Sequence, residues 1–198
     1  MALLKKLSIK QLLKKKNYSN SKALQNLAYG AAKKKADKLK SDLIKELNNH
    51  PVTKEIEQGP TGGSSLLGGD GNLFGFLGFT PSQKPVKIIR DSFEKFISVD
   101  KKPELKKVSG TVFEWEFRVR YPSAAEIYAV TPLTWSTQSW VKGVERGIGN
   151  FTHTVFTRSS RSRSGVALQA KEPQMSFVNF RATPYVGAML TNFRAKLK

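Results

Sequence analysis

The segment from Thr111 to Tyr121 constrains the fold most, because apolar and charged side chains alternate along it. The apolar positions are Phe113, Trp115, Phe117, Val119 and Tyr121, and the charged positions between them are Glu114, Glu116, Arg118 and Arg120. A period of two predicts a strand that buries one face. This is the clearest strand in the chain, so the fold must contain a sheet.

Three stretches of the chain have the apolar spacing of amphipathic helices. A long one is lined by Leu24, Leu27, Ala28, Ala31, Ala32, Leu39, Leu43 and Leu47, and it ends at Asn48–Pro51. Another begins near Pro85 and has one side made of Ile88, Ile89, Phe93, Phe96 and Ile97. In the last helix Thr183 is the predicted cap, Pro184 is the first residue, and the apolar side is Val186, Met189, Leu190, Phe193 and Leu197.

Weaker patterns complete the prediction. Ser8 with Gln11 three residues later resembles a capping box and predicts a short basic helix near the start of the chain. Glu126 to Val130 predicts a minor strand. Residues 152–157 and 165–171 predict a pair of strands, joined by a tip rich in arginine and serine.

Together these elements predict an α+β fold with a long N-terminal helix, a small antiparallel sheet and a C-terminal helix. Residues 1–20 form a basic N-terminal arm, and residues 21–198 form a single domain with a Gly/Phe-rich loop at 57–85. No apolar run approaches the roughly 20 residues of a membrane span, so we expect a soluble protein with no membrane partner. There are no cysteines, which excludes disulfides and thiolate chemistry.

Positive charge is concentrated at the start of the chain. The net charge is +19, and the first fifty residues hold thirteen lysines and three carboxylates, which is +10. A surface this basic indicates a polyanionic neighbour. The candidate contacts with nucleic acid or an acidic partner are Lys5, Lys6, Lys10, Lys14, Lys15, Lys16, Lys33, Lys34, Lys35, Arg158, Arg161 and Arg163. The alternative for each cluster is an ordinary solvated surface.

The Gly/Phe-rich loop carries an unusual apolar segment. Its large side chains are Leu73, Phe74, Phe76, Leu77 and Phe79, separated by glycines. This is not the composition of a flexible linker. We expect these residues either to insert into a partner, as an assembly interface, or to fold back onto the core. Neither the dinucleotide fingerprint nor the P-loop ending is present, so the glycines do not predict nucleotide binding.

Candidate catalytic groups are few. The two histidines are His50, before a proline at a helix end, and His153, within a predicted strand. Glu114 and Glu116 lie on one strand face at a spacing that paired carboxylates can have, but their arginine neighbours indicate surface ion pairs. We therefore predict no enzymatic activity, no cofactor and no metal site.

Three short motifs suggest a family. They are Gly71-Asn72-Leu73, the segment Trp140-Val141-Lys142-Gly143-Val144-Glu145-Arg146-Gly147, and Thr183-Pro184-Tyr185-Val186. Their order after a long helix resembles that of the neck or tail-completion (head–tail joining) proteins of long-tailed bacteriophages. The resemblance covers residues 24 to 198, and the basic first twenty residues have no counterpart in it.

The resemblance implies a virion structural protein that forms a ring, usually of six copies, between the portal side and the tail tube. The implied partners are copies of itself, adjacent neck, portal-side or tail-tube proteins, and passing double-stranded DNA. The implied location is the virion neck, with the host cytoplasm during assembly. One alternative is a basic protein that binds RNA or DNA without sequence preference. Another is a peripheral membrane protein, for which the apolar face of residues 1 to 16 is small.

Overall fold

The computed structural model describes residues 3–12, 22–63, 72–109, 112–133, 136–147, 154–156, 167–169 and 182–197. The strands are β1 (Leu3–Leu12), β2 (Ser98–Val99), β3 (Glu104–Ser109), β4 (Val112–Tyr121), β5 (Thr154–Phe156) and β6 (Ala167–Gln169). The helices are α1 (Lys22–Asn49), α2 (Pro51–Glu57), α3 (Leu73–Phe76), α4 (Pro85–Phe96), α5 (Ala124–Val130), α6 (Trp140–Arg146) and α7 (Val186–Lys196). A 3₁₀ turn follows α2 at Gly59–Thr61.

The main sheet is antiparallel and β4 is its centre. β1 pairs with β4 along its whole length on one side, while β3 and the short β2 pair with the two halves of β4 on the other side. β5 and β6 form a separate antiparallel pair. The predicted α+β class is therefore confirmed, as are the strand at β4 and the pairing of the two segments near 155 and 168.

The core lies against the buried face of β4. Trp115, Phe117 and Val119 of that strand are fully buried. Helix α1 packs here, with the Tyr29 ring 5.9 Å from the Phe117 ring, and α7 places Phe193 5.6 Å from Tyr121. The alternating pattern in the sequence thus describes the surface on which both long helices dock.

Helix α1 buries a narrow stripe along its 28 residues. The buried residues are Ala28, Ala32, Ala36, Leu43 and Leu47. Alanine lets neighbouring backbones approach closely, which suits a helix that contacts the sheet and α7 together. The helix and its end before Pro51 are as predicted, but Leu27, expected on the apolar side, is 66% exposed.

The predicted short helix near Ser8 is wrong, because residues 3–12 form strand β1. Ser8 has Glu116 as its Cα partner in β4, and Ile9 has Trp115. Leucine and lysine are good helix formers, but propensity is a weak prior that tertiary pairing overrides. The alternation Lys6-Leu7-Ser8-Ile9-Lys10 is the strand signal in the sequence. This part of the predicted arm therefore belongs to the main sheet.

The predicted strand at Glu126–Val130 is also wrong. Ser123 caps α5 and forms a capping box, in which its side chain accepts from the Glu126 backbone N–H while the Glu126 carboxylate accepts from the Ser123 N–H. Ser-x-x-Glu is a helix-start signal. It prevails over the short apolar run that follows.

The helices at Pro85 and at the C-terminus are confirmed, with two corrections. Ile88 and Phe96 of α4 are 44% and 49% exposed, so the apolar side of that helix is narrower than predicted. The capping residue of α7 is Tyr185, which makes no capping hydrogen bond with its side chain, instead of Thr183. The predicted apolar side of α7 is buried throughout.

Among the described residues, no helix combines the length and the apolar composition that crossing a membrane requires.

Candidate partner-binding surfaces

The lysines of α1 are at the surface. Lys33, Lys34 and Lys35 are all exposed, as are Lys38 and Lys45 further along the helix. Their positions follow from the helix itself, because the buried stripe occupies one side and leaves the rest to solvent. Lys33, Lys34 and Lys35, which are predicted contacts, therefore lie where a polyanion can reach them.

The other predicted basic contacts are distributed differently. Lys5, Lys6 and Lys10 lie on β1, and their Cα partners in β4 are Val119, Arg118 and Glu114. The remaining predicted contacts lie outside the described residues: Lys14, Lys15, Lys16, Arg158, Arg161 and Arg163.

The predicted assembly interface needs correction, because the Gly/Phe segment (Leu73–Phe79) is part of the core. Its five large side chains are at most 3% exposed: Leu73, Phe74, Phe76, Leu77 and Phe79. The Phe79 ring lies 5.7 Å from the Phe74 ring and meets Trp140 edge-on at the same distance. These side chains cannot serve as a partner surface in this fold. The second alternative, folding back onto the core, is what the structure shows.

Asn72 fixes the start of the Gly/Phe segment. It caps α3, since its side-chain oxygen accepts from the Gly75 N–H at 2.7 Å. Its amide nitrogen lies 2.9–3.0 Å from the carbonyl oxygens of Gly59, Pro60 and Gly62. One buried side chain thus joins α3 to the 3₁₀ turn. The sequence signal was an asparagine directly before an apolar run, which is typical of a helix cap.

Glu55 provides a second anchor for this segment. This carboxylate is 4% exposed, and its Oε1 atom accepts from the Leu73 N–H at 2.7 Å. A negative charge at a helix start is favourable because the first N–H groups lack partners within the helix. Glu55 is not among the predicted site residues, because its partner Leu73 lies 18 residues away and no local pattern marks such a pair.

Helices α6 and α7 are joined by a second polar cluster. The Gly187 N–H donates to Glu145 Oε1 at 2.6 Å, and the Thr183 N–H donates to the Val144 carbonyl at 3.0 Å. The Tyr128 hydroxyl donates to the other oxygen of Glu145. Burial, together with the hydrogen bond to this carboxylate, raises the pKa of Tyr128 to about 12. Tyr128 therefore stays protonated as the donor.

Tyr185 connects this cluster to α2. Its ring is buried and lies 6.1 Å from the Trp140 ring, and its hydroxyl is 2.6 Å from the Thr53 hydroxyl. Burial raises the pKa of Tyr185.

Of the candidate catalytic groups, His50 lies 4.8 Å from the Tyr185 ring and caps α2, accepting from the Val52 N–H. This is a structural role. His153 lies outside the described residues.

Glu116 is half-buried on β4, with Ser8 and Glu104 as its Cα partners in the neighbouring strands. Within the part of the chain that the structure describes, no group of three or more His, Cys, Asp or Glu side chains is arranged to hold a metal ion.

Four large apolar side chains are exposed among the described residues. They are Leu27 on α1, Ile88 and Phe96 on α4, and Val130 on α5. Of the side chains whose burial the structure describes, these four, and not those of the Gly/Phe segment, are the large apolar groups available to another protein.

No protein-family model, no curated protein and no solved structure matches this chain.

Proposed function

We propose that this chain is a structural protein of the neck of a long-tailed bacteriophage. In this proposal its copies form a ring around the DNA channel that joins head to tail, in a tail-completion or terminator role. Its partners are further copies of itself and the adjacent neck, portal-side or tail-tube proteins, and its location is the virion.

Direct contact between the motifs that suggested the family carries the proposal. The Trp140–Gly147 segment meets the Thr183–Val186 segment through the Trp140 and Tyr185 rings and through Thr183 N–H donating to Val144. The third motif is linked to them through α2, because the Leu73 N–H donates to Glu55 and the hydroxyl of Thr53 on the same helix lies 2.6 Å from the Tyr185 hydroxyl. Motifs far apart in the sequence therefore form one packed unit, as expected if they define a common fold.

The surface supports a role in assembly. The exposed apolar side chains lie on three different helices, α1, α4 and α5. In a closed ring each subunit uses two different patches, one for each neighbour. Exposed apolar groups on more than one helix suit such a subunit.

Genetic complementation tests the proposal. In a phage that carries this gene, deletion should leave filled heads and finished tails unjoined, and adding the purified protein should join them. Electron micrographs of the lysate give the count of joined particles. Normal particles assembled without the protein would contradict the proposal.

The exposed lysines of α1 favour a second candidate, a basic protein that binds RNA or DNA without sequence preference. It predicts strong binding to nucleic acid by a monomer and no effect of the deletion on joining of heads to tails.

A further inference from the structure

We propose that one side of α1 binds the phosphate backbone of double-stranded DNA through a lysine stripe formed by Lys34, Lys38 and Lys45. The inference rests on the proposed function for the identity of the polyanion, since a neck ring surrounds DNA. Two of the three residues, Lys38 and Lys45, were not among the contacts predicted from the sequence.

The stripe is defined by its position opposite the buried side of α1. Lys34 stands two residues from both Ala32 and Ala36, and Lys45 stands two residues from both Leu43 and Leu47; these four neighbours are buried. Two residues correspond to about 200° around a helix of 3.6 residues per turn. The spacings of four and seven residues keep the three lysines in line.

The length of the stripe suits a duplex. Eleven residues separate Lys34 from Lys45, which is about 16 Å at the helical rise of 1.5 Å per residue. Duplex DNA presents one negative charge per roughly 1.7 Å of its axis, so about ten phosphates lie within that length. Three flexible lysine side chains have several phosphates in reach at any register, which favours contact without a fixed sequence.

Within the described part of the chain, the charge of the stripe is not neutralised by ion pairs. None of its lysines forms an ion pair with another described residue. Asp37, the exposed carboxylate between Lys34 and Lys38, lies 3.8 Å from Lys40 on another side of the helix. Asp42 and Glu46 are half-buried.

Composition favours DNA over an acidic protein as the partner. Protein interfaces are depleted in lysine and enriched in aromatic residues and arginine. Between Lys34 and Lys45 this side of α1 adds only Ser41, which is exposed and polar. The exposed Leu27 lies on the same line seven residues before Lys34, so the apolar group on this side of α1 stands beyond one end of the stripe. Between Lys34 and Lys45 this side has no apolar anchor of the kind that concentrates binding energy between proteins, whereas phosphate contacts need only positive charge.

The test measures binding of a fluorescently labelled duplex of arbitrary sequence by anisotropy across a series of salt concentrations. The variant replaces Lys34, Lys38 and Lys45 with Gln. A control of equal charge replaces Lys54, Lys84 and Lys142, three exposed lysines on or beside other helices. Each phosphate contact adds about 0.9 to the log–log salt slope. We expect the variant to lose about two to three units of slope and the control to keep the slope of the original protein.

Equal losses in the two variants would overturn the stripe, because they would show that only total charge matters. A variant that binds DNA normally but no longer assembles would overturn it in favour of an acidic subunit. Repeating the series with a single strand of the same sequence should give weaker binding, and a preference for the single strand would contradict the duplex assignment. None of these binding results changes the outcome of the deletion test for joining heads to tails. The lysine stripe and the proposed function can therefore be disproved independently.

Discussion

The Gly/Phe segment and the outer side of α1 were both expected to meet partners, and they lie in opposite environments. The large side chains from Leu73 to Phe79 are buried, with contacts to α2 and α6, whereas Lys33, Lys34, Lys35, Lys38 and Lys45 of α1 are exposed. Both regions have unusual composition, one apolar with glycines and the other dense in a single charge. The two regions differ in whether they need another molecule to be stabilised. Phenylalanine gains free energy wherever it leaves water, including inside its own chain, while clustered lysines remain in water unless another molecule supplies negative charge.

Removing two rings from the Gly/Phe segment should have the largest effect. Phe74 and Phe76 are 3% and 2% exposed, and a buried Phe→Ala change costs about 3–5 kcal/mol. Because whole domains have about 5–15 kcal/mol of stability, we expect Phe74→Ala with Phe76→Ala to prevent stable folding. Urea denaturation followed by circular dichroism measures this.

The matched control is Phe96→Ala on α4, where the side chain is 49% exposed and the loss should be below about 1 kcal/mol. A double variant as stable as the control would restore the partner-surface interpretation of the Gly/Phe segment.

The polar anchor of the same segment should have the next largest effect. Asn72→Ala removes the cap of α3 and leaves the carbonyls of Gly59, Pro60 and Gly62 without that donor. We expect the free energy of unfolding to fall by about 2–3 kcal/mol. About 1 kcal/mol of this comes from the lost cap, and the rest comes from the carbonyls that lose their donor. Asn72→Ser keeps an oxygen for the cap and lacks the amide, so it should lie between Ala and the original protein. If Asn72→Ser and Asn72→Ala both lose little stability, the contacts with the three carbonyls do not stabilise the fold.

Acidification should weaken α2, which carries the Glu55 anchor. Burial, opposed in part by the Pro184 carbonyl and the charge of Glu46, lowers the pKa of His50 from its usual 6.5. The unfolded chain then binds a proton at a pH where the folded chain does not. The stabilisation that neutral His50 contributes is therefore fully present above pH 6.5. It declines as the pH falls from 6.5 towards the pKa of His50 in the folded protein, which is lower.

Denaturation midpoints between pH 7.5 and 5 measure this decline. His50→Asn keeps a capping acceptor that does not titrate, so its midpoint should fall less over this range. His153 is present in both proteins, and the difference between them reports His50 alone. Parallel curves would remove His50 as the cause.

The smallest effect on stability is expected from the lysine stripe. Lys34, Lys38 and Lys45 replaced with Gln should change unfolding free energy by no more than about 0.5 kcal/mol, because exposed positions without partners tolerate substitution. Lower self-repulsion would make the change slightly stabilising. A large loss of unfolding free energy in the same urea titration would show that these lysines stabilise the fold, and the two regions would then not differ as argued.

Patterns within one element predicted the fold well. The alternation at Phe113–Tyr121, the long helix before Pro51 and the apolar side of α7 depend on local spacing, and all three are confirmed. Short segments failed where two local signals competed. Residues 3–12 read as a helix by composition and as a strand by alternation, and pairing with β4 decided between them. At Ser123 the capping box prevailed over strand propensity.

The surfaces were harder to predict than the elements. Exposure of Lys33–Lys35 follows from one helical pattern, but burial of the Gly/Phe segment depends on Glu55 and Trp140, which come from two distant parts of the chain. Such contacts at long sequence distance leave no periodic signal. The candidate site could therefore be predicted only where a single element determines it.

The mass of the purified protein in solution tests the central claim most directly. Multi-angle light scattering on a sizing column gives it, for the protein alone and mixed with the neighbouring neck proteins. A closed ring predicts one defined multiple of the 22.1 kDa chain, six copies if the ring matches the resembled family. The multiple should persist in high salt, because the exposed apolar groups and not the lysines hold the subunits together. A protein of 22.1 kDa under every condition, including with its neck partners, would contradict the account.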